Sequence, residues 1–416
     1  MQTFKSIRGF NDVLPSKITK YQFVEKTIQS ILNNADYKEI RTPIVEFEDL
    51  FKRSVGSESD IVSKEMYTIK RDEETAYTLR PEGTVGVARA LLEGNLTDVQ
   101  QKLWYNGYMF RAENPQKGRY RQFQQIGVEV YGIAGINADI ELLNLSYSIF
   151  EKFNLLKSVS LEINNIGSMD DRRKYANSII NYMKPYYNQL SENFIKKFER
   201  NPLRILDNKD EKIKLMIKDA PSISDYINES SKNNFEKLKY ALDSLGIEYK
   251  INEKLIRGLD YYNDLVFEWT SNLSESQGTV CAGGRYDTLM EQLNGPKTPA
   301  VGFAIGVERL ILLLEETESY KDTENNRIVI CVIDKDNYIF GLKIQKDLMN
   351  SLNQSVGIVT EQTSLKSQMK KADKMNARYV LIFGSNEIDE NKVSVKDMLY
   401  GTQETMNIEM FINTLK

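Results

Sequence analysis

Between Trp104 and Tyr131 the chain alternates residue character on either side of a central turn signal, and this stretch restricts the possible folds most. A run ending Tyr108-Met109-Phe110-Arg111-Ala112-Glu113 enters the polar turn Asn114-Pro115-Gln116-Lys117-Gly118. A second run continues from Arg119 to Tyr131. Strand side chains alternate between faces, so the pattern predicts a β-hairpin with two unlike sides. Even positions, among them Trp104, Tyr108, Phe110, Ile126, Val128 and Val130, suit a core. Odd positions gather Arg111, Glu113, Arg121, Phe123, Gln125, Gly127 and Glu129 on the other face. From Phe123 to Glu129 that face runs about 20 Å, at about 3.3 Å per residue. It can receive a two-ended ligand: a flat base on Phe123, a phosphate at Arg111, a cationic or hydrogen-bonding group at Glu129. The competing reading is a solvated sheet face laced with ion pairs.

Composition narrows the setting. With 416 residues the chain has room for two or three domains. Met1–Gly9 is polar and basic with no apolar run behind it, which argues against a signal peptide. The strongest apolar run, Leu310–Leu314, is far too short to span a bilayer, so no membrane association is expected. Cys281 and Cys331 are the two cysteines, and they predict a reducing, cytoplasmic setting without a disulfide frame. Neither lies in a metal-ligand cluster, so no resident metal is expected. Net charge is −4, so any nucleic-acid contact must come from local basic patches. Candidates are Arg172-Arg173-Lys174 and the run Lys366, Lys370, Lys371, Lys374, each of which also reads as a solvated helix face. Histidine is absent. Its absence removes the commonest general base and metal ligand. Chemistry is left to carboxylates, arginines, a metal carried in by a nucleotide, or the substrate itself.

Along the chain, Ser16–Ala35 carries apolar residues at helical spacing and leads into an extended Lys38–Phe47. In Thr78-Leu79-Arg80-Pro81-Glu82-Gly83-Thr84, Pro81 suits the first turn of a helix continuing over Val85–Leu92. Glu82 and Thr84 then sit where that helix begins, and helix capping alone would explain the glutamate. After the hairpin come a helix over Ala138–Phe153, a strand at Val159–Ile163, and a Lys-, Asn- and Tyr-rich helical insertion over 169–245. Strands return at Val266–Trp269, Gly278–Asp287 and Pro299–Val307, and a helix starts at Glu308. Glu315–Asn326 is charged and aperiodic, and a linker is placed at 321–326. The remainder alternates as βαβαββα, ending in a helix over Thr402–Leu415.

Phe110–Glu113 followed by Arg119-Tyr120-Arg121-Gln122-Phe123 resembles motif 2 of the class II aminoacyl-tRNA synthetases. Gly302-Phe303-Ala304-Ile305-Gly306-Val307-Glu308-Arg309 resembles their motif 3, and Ile40-Arg41-Thr42-Pro43-Ile44-Val45-Glu46 their motif 1. Two stretches are more specific. Leu255-Ile256-Arg257-Gly258-Leu259-Asp260-Tyr261-Tyr262 and Ala282-Gly283-Gly284-Arg285-Tyr286-Asp287 resemble signatures of the histidyl-tRNA synthetase family. Asn201–Asp207 is similar to its bacterial branch.

The resemblance spans nearly the whole chain. It implies an α+β catalytic core on an antiparallel sheet over residues 1–320, with the helical insertion closing over the tRNA acceptor arm. A C-terminal α/β anticodon-binding domain over 327–416 follows. The implied activity is ATP-dependent attachment of histidine to histidine tRNA through a histidyl-adenylate, by a homodimer, with Mg²⁺ bound alongside ATP. The implied roles place Arg111 and Arg257 on either side of the α-phosphate. Phe123 and Arg309 sandwich adenine, Glu113 contacts its amino group, and Arg119 reaches the terminal phosphates. Glu82 and Thr84 hold the α-amino group, while Gln125 and Arg257 steer the carboxylate. Glu129 and Tyr262 define the imidazole end, with Tyr261 and Tyr286 nearby. Asn114, Gln116 and Lys117 lie in the loop that meets the acceptor end. Ala112, Asn114 and Gln124 depart from the family's usual His, Arg and His. The main rival is a non-catalytic, histidine-sensing regulatory subunit of ATP phosphoribosyltransferase. That subunit usually lacks the anticodon domain and parts of the two specific signatures. A polymerase accessory subunit and synthetases for glycine, threonine or proline fit less of the pattern.

Overall fold

The computed structural model describes residues 4–56, 59–70, 72, 75–208, 210–271, 273, 278–320, 327–352, 354–361 and 363–415. The 321–326 segment read as a linker lies outside them. Packing divides the chain into two units, Met1–Tyr320 and Lys321–Lys416.

In the first unit, α1 (Pro15–Asn34) opens on proline, whose fixed φ suits a first turn. It buries Val24, Ile28 and Leu32, spaced by four and so on one face. The extended 38–47 stretch resolves into β1 (Lys38–Glu39) and β2 (Val45–Phe47), followed by α2 (Glu48–Val55). Strands β3 (Tyr67–Lys70) and β4 (Ala76–Leu79) join β2 in a small antiparallel sheet. Helix α3 spans Thr84–Glu93. Pro81 lies outside it, contrary to expectation. Gly83 takes the N-cap position, and the Glu82 carboxylate accepts the Thr84 and Val85 N–H groups at 2.8 and 2.9 Å.

The hairpin forms from β5 (Gln101–Phe110) and β6 (Gln122–Tyr131), with Trp104 opposite Val128 and Met109 opposite Phe123. Both strands stop short of the predicted turn: β5 starts earlier, at Gln101, but ends at Phe110, and β6 begins only at Gln122. Pro115 has no N–H for the ladder and Gly118 sits at φ +72°, so Arg111 and Glu113 fall in the connecting segment. One bond, Arg111 N–H to Arg121 O at 2.9 Å, extends the pairing past the strand ends.

Chain order then gives α4 (Asn137–Lys152), β7 (Val159–Asn165), α5 (Met169–Met183), α6 (Glu192–Arg200), α7 (Glu211–Met216), α8 (Glu229–Ser244) and β8 (Tyr249–Ile251). The unit closes with β9 (Asn263–Ser271), β10 (Thr279–Arg285), α9 (Leu289–Gln292), β11 (Ala300–Gly306) and α10 (Val307–Glu316). The main sheet has the order β1-β5-β6-β11-β10-β9-β7-β8. It is antiparallel except where β1 meets β5 and β7 meets β8.

The even face of the hairpin buries Trp104, Ile126, Val128 and Val130 with α1, α4 and Leu310 of α10. Tyr108 departs from that expectation and is 39% exposed, because it lies near the turn end of β5. The odd face is not wholly polar. Leu103, Tyr105 and Met109 belong to an apolar cluster that also holds residues of α3 and Tyr175 and Ile179 of α5. The helical stretch over 169–245 therefore divides in its packing. Helices α5 to α7 cluster on the odd side, whereas Leu238 and Leu242 of α8 pack with α4 in the core behind the sheet.

The second unit runs β12 (Ile328–Val332), α11 (Tyr338–Ser351), β13 (Val356–Ile358), α12 (Leu365–Lys374), β14 (Tyr379–Phe383), α13 (Ser385–Asp389), β15 (Lys392–Asp397), β16 (Gln403–Asn407) and α14 (Ile408–Leu415). Its sheet order is β13-β12-β14-β15-β16. The helix expected over Thr402–Leu415 splits in two. Gly401, at φ +72°, turns the chain so that Gln403–Asn407 pairs antiparallel with β15, and only Ile408–Leu415 is helical. Among the described residues no helix is long and apolar enough to cross a membrane.

Candidate active site

A cavity of about 320 Å³ opens over the odd face of the hairpin. Phe123 and Gln125 of β6 form part of its floor, and Gly302, Ala304 and Gly306 of β11 run beside them. The loop before β9 contributes Arg257, Tyr261 and Tyr262, while Glu82 and Thr84 enter from the start of α3. Arg309, on the first turn of α10, closes the far side. The antiparallel register brings these distant segments together: Gln125 pairs with Gly306 and Glu129 with Gly302.

One end is buried and internally bonded. Glu129 is 1% exposed; its Oε1 accepts the Thr84 hydroxyl at 2.7 Å and its Oε2 accepts the Tyr286 hydroxyl. Glu129 and Tyr286 do not line the open cavity. They sit beside Gly302, where a Cβ would overlap both the Glu129 carboxylate and the Tyr286 hydroxyl. Glycine at 302 is thus required for the carboxylate to approach the cavity wall. Gly127 has the same function toward the Tyr105 ring. Burial pushes the Glu129 carboxyl up to about 8, opposed by the bonds from Tyr286 and Thr84 and reinforced by Glu82. Burial also raises the Glu82 carboxyl, against the pull of the Val85 and Thr84 amides. Tyr261, Tyr262 and Tyr286 pack edge to face or tilted around this end, and burial pushes the Tyr262 hydroxyl up to about 12.

The other end is cationic and more open. Arg111 donates to Pro81 O at 2.9 Å and lies over the Phe123 ring, 5.2 Å from its centroid. Arg309 donates to Gly118 O at 3.3 Å and Thr279 O at 2.5 Å. Arg119 pairs with Glu113, and Arg257 with Glu268. Burial most strongly opposes the Arg257 charge, but the Glu268 carboxylate together with Tyr262 and Tyr261 holds the guanidinium above its ordinary value. Arg257 Nε and Gln125 Oε1 are buried without a hydrogen-bond partner among the described residues. Unpaired polar atoms cost free energy when buried, and these two belong to residues that line the cavity.

Of the residues singled out in sequence, Glu82, Thr84, Arg111, Glu113, Arg119, Phe123, Gln125, Arg257, Tyr261, Tyr262 and Arg309 all border this cavity. Asn114, Gln116 and Lys117 are exposed in the connecting loop outside it, and Lys117 pairs with Glu316 at 3.3 Å. Five acidic or aromatic lining residues were not singled out: Tyr120, Phe303 and the three that follow. Glu268 closes the ion pair with Arg257, and its Oε2 accepts the Thr279 hydroxyl at 2.8 Å. Its signal was an acid at an inner position of the Val266–Trp269 run. Glu308 accepts the Gln124 main-chain N–H with both oxygens, at 3.0 and 3.1 Å. Burial pushes its carboxyl up to about 7. Tyr105 lines the cavity from β5, and its placement follows the odd alternation.

An antiparallel sheet, a floor hairpin with its arginine and glutamate past the strand end, and a facing arginine at a strand-to-helix junction together define a class II aminoacyl-tRNA synthetase core. The family model described as "Histidyl-tRNA synthetase" matches residues 9–177 and 188–310, and "Anticodon binding domain" matches 327–416. The chain is 44% identical over 420 residues to the histidine–tRNA ligase of Francisella philomiragia, covering 100% of this chain and 99% of that one. It is 45% identical over 399 residues to the enzyme of Francisella tularensis subsp. novicida, covering 95% of each. The apo S. aureus histidyl-tRNA synthetase superposes with a TM-score of 0.82 at 34% identity, covering 99% of this chain and 100% of that chain. An ATP phosphoribosyltransferase regulatory subunit/histidyl-tRNA synthetase from Bacillus halodurans shares the fold, with a TM-score of 0.65 at 20% identity. The chain belongs to the histidyl-tRNA synthetase family.

Proposed function

We propose that this protein attaches histidine to histidine tRNA in two steps, both at the cavity described above. The observation that carries the reading is a buried carboxylate, Glu129, held by Thr84 and Tyr286 at one end of an arginine-lined cavity. In the first step a carboxylate oxygen of histidine attacks the α-phosphorus of ATP. A new P–O bond forms, the bond to the β-phosphate oxygen breaks, and pyrophosphate leaves. Such transfer depends on positioning and on cations around the phosphoryl oxygens more than on a proton acceptor.

Arg111 and Arg257 flank the α-phosphate, and each must exchange a present partner, Pro81 O or Glu268, for a phosphoryl oxygen. Phe123 and Arg309 take the two faces of adenine, Glu113 its amino edge, and Arg119 the terminal phosphates. Gln125 and Arg257 turn the histidine carboxylate toward phosphorus, which gives their unpaired atoms partners. Glu82 and Thr84 hold the α-amino group, while Tyr262 bonds one imidazole nitrogen and Glu129, bonded to Thr84 and Tyr286 behind the wall at Gly302, must turn an oxygen toward the other; Tyr261 and Tyr286 wall the ring. Glu268 lines the cavity and is released when Arg257 turns to phosphate, and one carboxylate plus phosphates suits Mg²⁺. Bound with ATP, the ion would neutralise charge on the phosphates. In the second step the terminal ribose hydroxyl of the tRNA attacks the adenylate carbonyl and AMP leaves. A phosphate oxygen of the adenylate accepts the hydroxyl proton.

The loop carrying Asn114, Gln116 and Lys117 meets the acceptor end, and the 327–416 domain meets the anticodon. The active form is a homodimer in the cytoplasm. ATP–pyrophosphate exchange with each amino acid in turn tests the reading: histidine alone should support exchange. Histidine binding without exchange would instead support a sensing subunit.

A further inference from the structure

Behind the cavity floor, on the opposite face of β6, lies a polar junction that the mechanism above does not use. Gln124 sits between Phe123 and Gln125 and is 6% exposed. Its side-chain amide donates to Glu25 Oε1 of α1 at 2.5 Å and to Asn106 Oδ1 of β5 at 2.7 Å. Its main-chain N–H donates to Glu308 of α10, because the β6–β11 ladder ends one residue short of it, at Gln125 opposite Gly306. Three elements thus clasp one residue whose two chain neighbours both enter the cavity.

We infer that Gln124, with Glu25 as its anchor, is a positioning residue that sets the Phe123 ring against adenine and, beside it, the Gln125 amide against the histidine carboxylate. The inference rests on the assignment of Phe123 to adenine. A charge-assisted hydrogen bond is among the stronger polar contacts, and a buried partner left unpaired forces local rearrangement. The rearrangement is confined to one end of the site. Glu129 is five residues further along β6 and is fixed independently by Thr84 and Tyr286. Disruption at Gln124 should therefore weaken the nucleotide and spare the imidazole end.

The test compares Gln124→Leu, Glu25→Leu and Glu25→Gln in the full-length enzyme. The readouts are the KM for ATP in pyrophosphate exchange and the Kd of histidinol, which keeps the imidazole and amino group but lacks the carboxylate. Both leucine variants should raise the KM for ATP about tenfold, the scale of one lost charge-assisted bond. Histidinol binding should stay within about twofold, and Glu25→Gln, which keeps an oxygen acceptor, should restore the KM. An unchanged KM in Glu25→Leu would overturn the inference. So would parallel losses of ATP and histidinol affinity, the mark of general destabilisation. Phe123→Ala, measured alongside, separates the two levels. If it leaves the KM for ATP unchanged, the adenine assignment fails and the inference fails with it. If it raises the KM while the leucine variants do not, only the positioning role is lost.

Discussion

The two ends of the cavity are built differently. At the Glu129 end both buried carboxyls already have protein partners: Thr84 and Tyr286 bond Glu129, and the amides of α3 bond Glu82. At the Arg257 end, two arginines are paired with carboxylates and two rest on main-chain carbonyls. Under the proposed function the first arrangement serves as a pre-built recognition pocket. A site of buried polar groups rejects ligands that leave them unpaired, which gives selectivity. The second is a set of provisional contacts in a more open region, which a polyanionic ligand can displace. Selectivity and charge stabilisation are thereby assigned to separate ends of one floor strand.

The sharpest way to break this comparison is at Arg257. Removing a donor aimed at developing charge costs on the order of 10²–10³ in rate. Arg257→Ala should lose that much pyrophosphate exchange while histidinol binding persists. Near-normal exchange would show that Arg257 serves only its pair with Glu268.

A second prediction concerns the rim rather than either end. Asn114 is exposed at the start of the connecting loop, and asparagine lacks the bidentate fork of arginine. The family resemblance implies that an arginine at this place reads an extra 5′ guanosine on histidine tRNA, so Asn114→Arg should increase dependence on that nucleotide by about 1–3 kcal/mol, one good bidentate contact. Charging of paired transcripts with and without that nucleotide reads the effect. An equally steep drop in the natural enzyme would assign acceptor reading to other residues.

The buried carboxyl end also has a pH signature. Glu129 is pushed up to about 8 when folded, so the folded state holds a proton that the unfolded chain gives up near 4.5. Its contribution to stability is fully present below that lower value and is lost as pH rises through 8. Thermal stability should fall between about pH 5 and 8, and Glu129→Gln should flatten the fall. Part of the slope should remain, because burial raises Glu82 and Glu308 as well. An identical slope in the variant would place the titration elsewhere.

The smallest expected effect lies in the second unit. Lys366, Lys370 and Lys374 are exposed on α12 at four-residue spacing, while Lys371 is paired with Glu361. Reversing Lys366 and Lys370 to glutamate should weaken tRNA binding several-fold and shallow its salt dependence, roughly one unit of slope per lost phosphate contact. Exchange should be unaffected. Unaltered tRNA affinity across salt would return the run to a solvated helix face.

Much of this arrangement was legible in the sequence because period-2 alternation fixes which residues share a face. The odd positions Phe123, Gln125 and Glu129 are directed as the pattern required. Alternation carries no information on depth, so it did not distinguish Glu129, sealed beside Gly302, from Gln125, which lines the cavity. Local chemistry was also underread. Pro115 and Gly118 end the ladder before Arg111, and Glu82 rather than Pro81 organises the start of α3. Signature residues were harder to apportion. Arg285 and Asp287 flank Tyr286 but face away from the cavity, where Arg285 bonds Asp139 and Asp287 in a buried ion network. Such pairings depend on strands distant in sequence, which no local pattern encodes. Glu268 and Glu308 escaped notice for the same reason.

Separate titrations of Glu129→Gln with histidine and with ATP test the division of the site most directly. The division predicts a large loss of histidine affinity with ATP affinity within about twofold, since a pocket built around one polar pairing penalises its loss at that end. Equal losses for the two ligands would contradict it, and would make Glu129 a structural residue of the sheet.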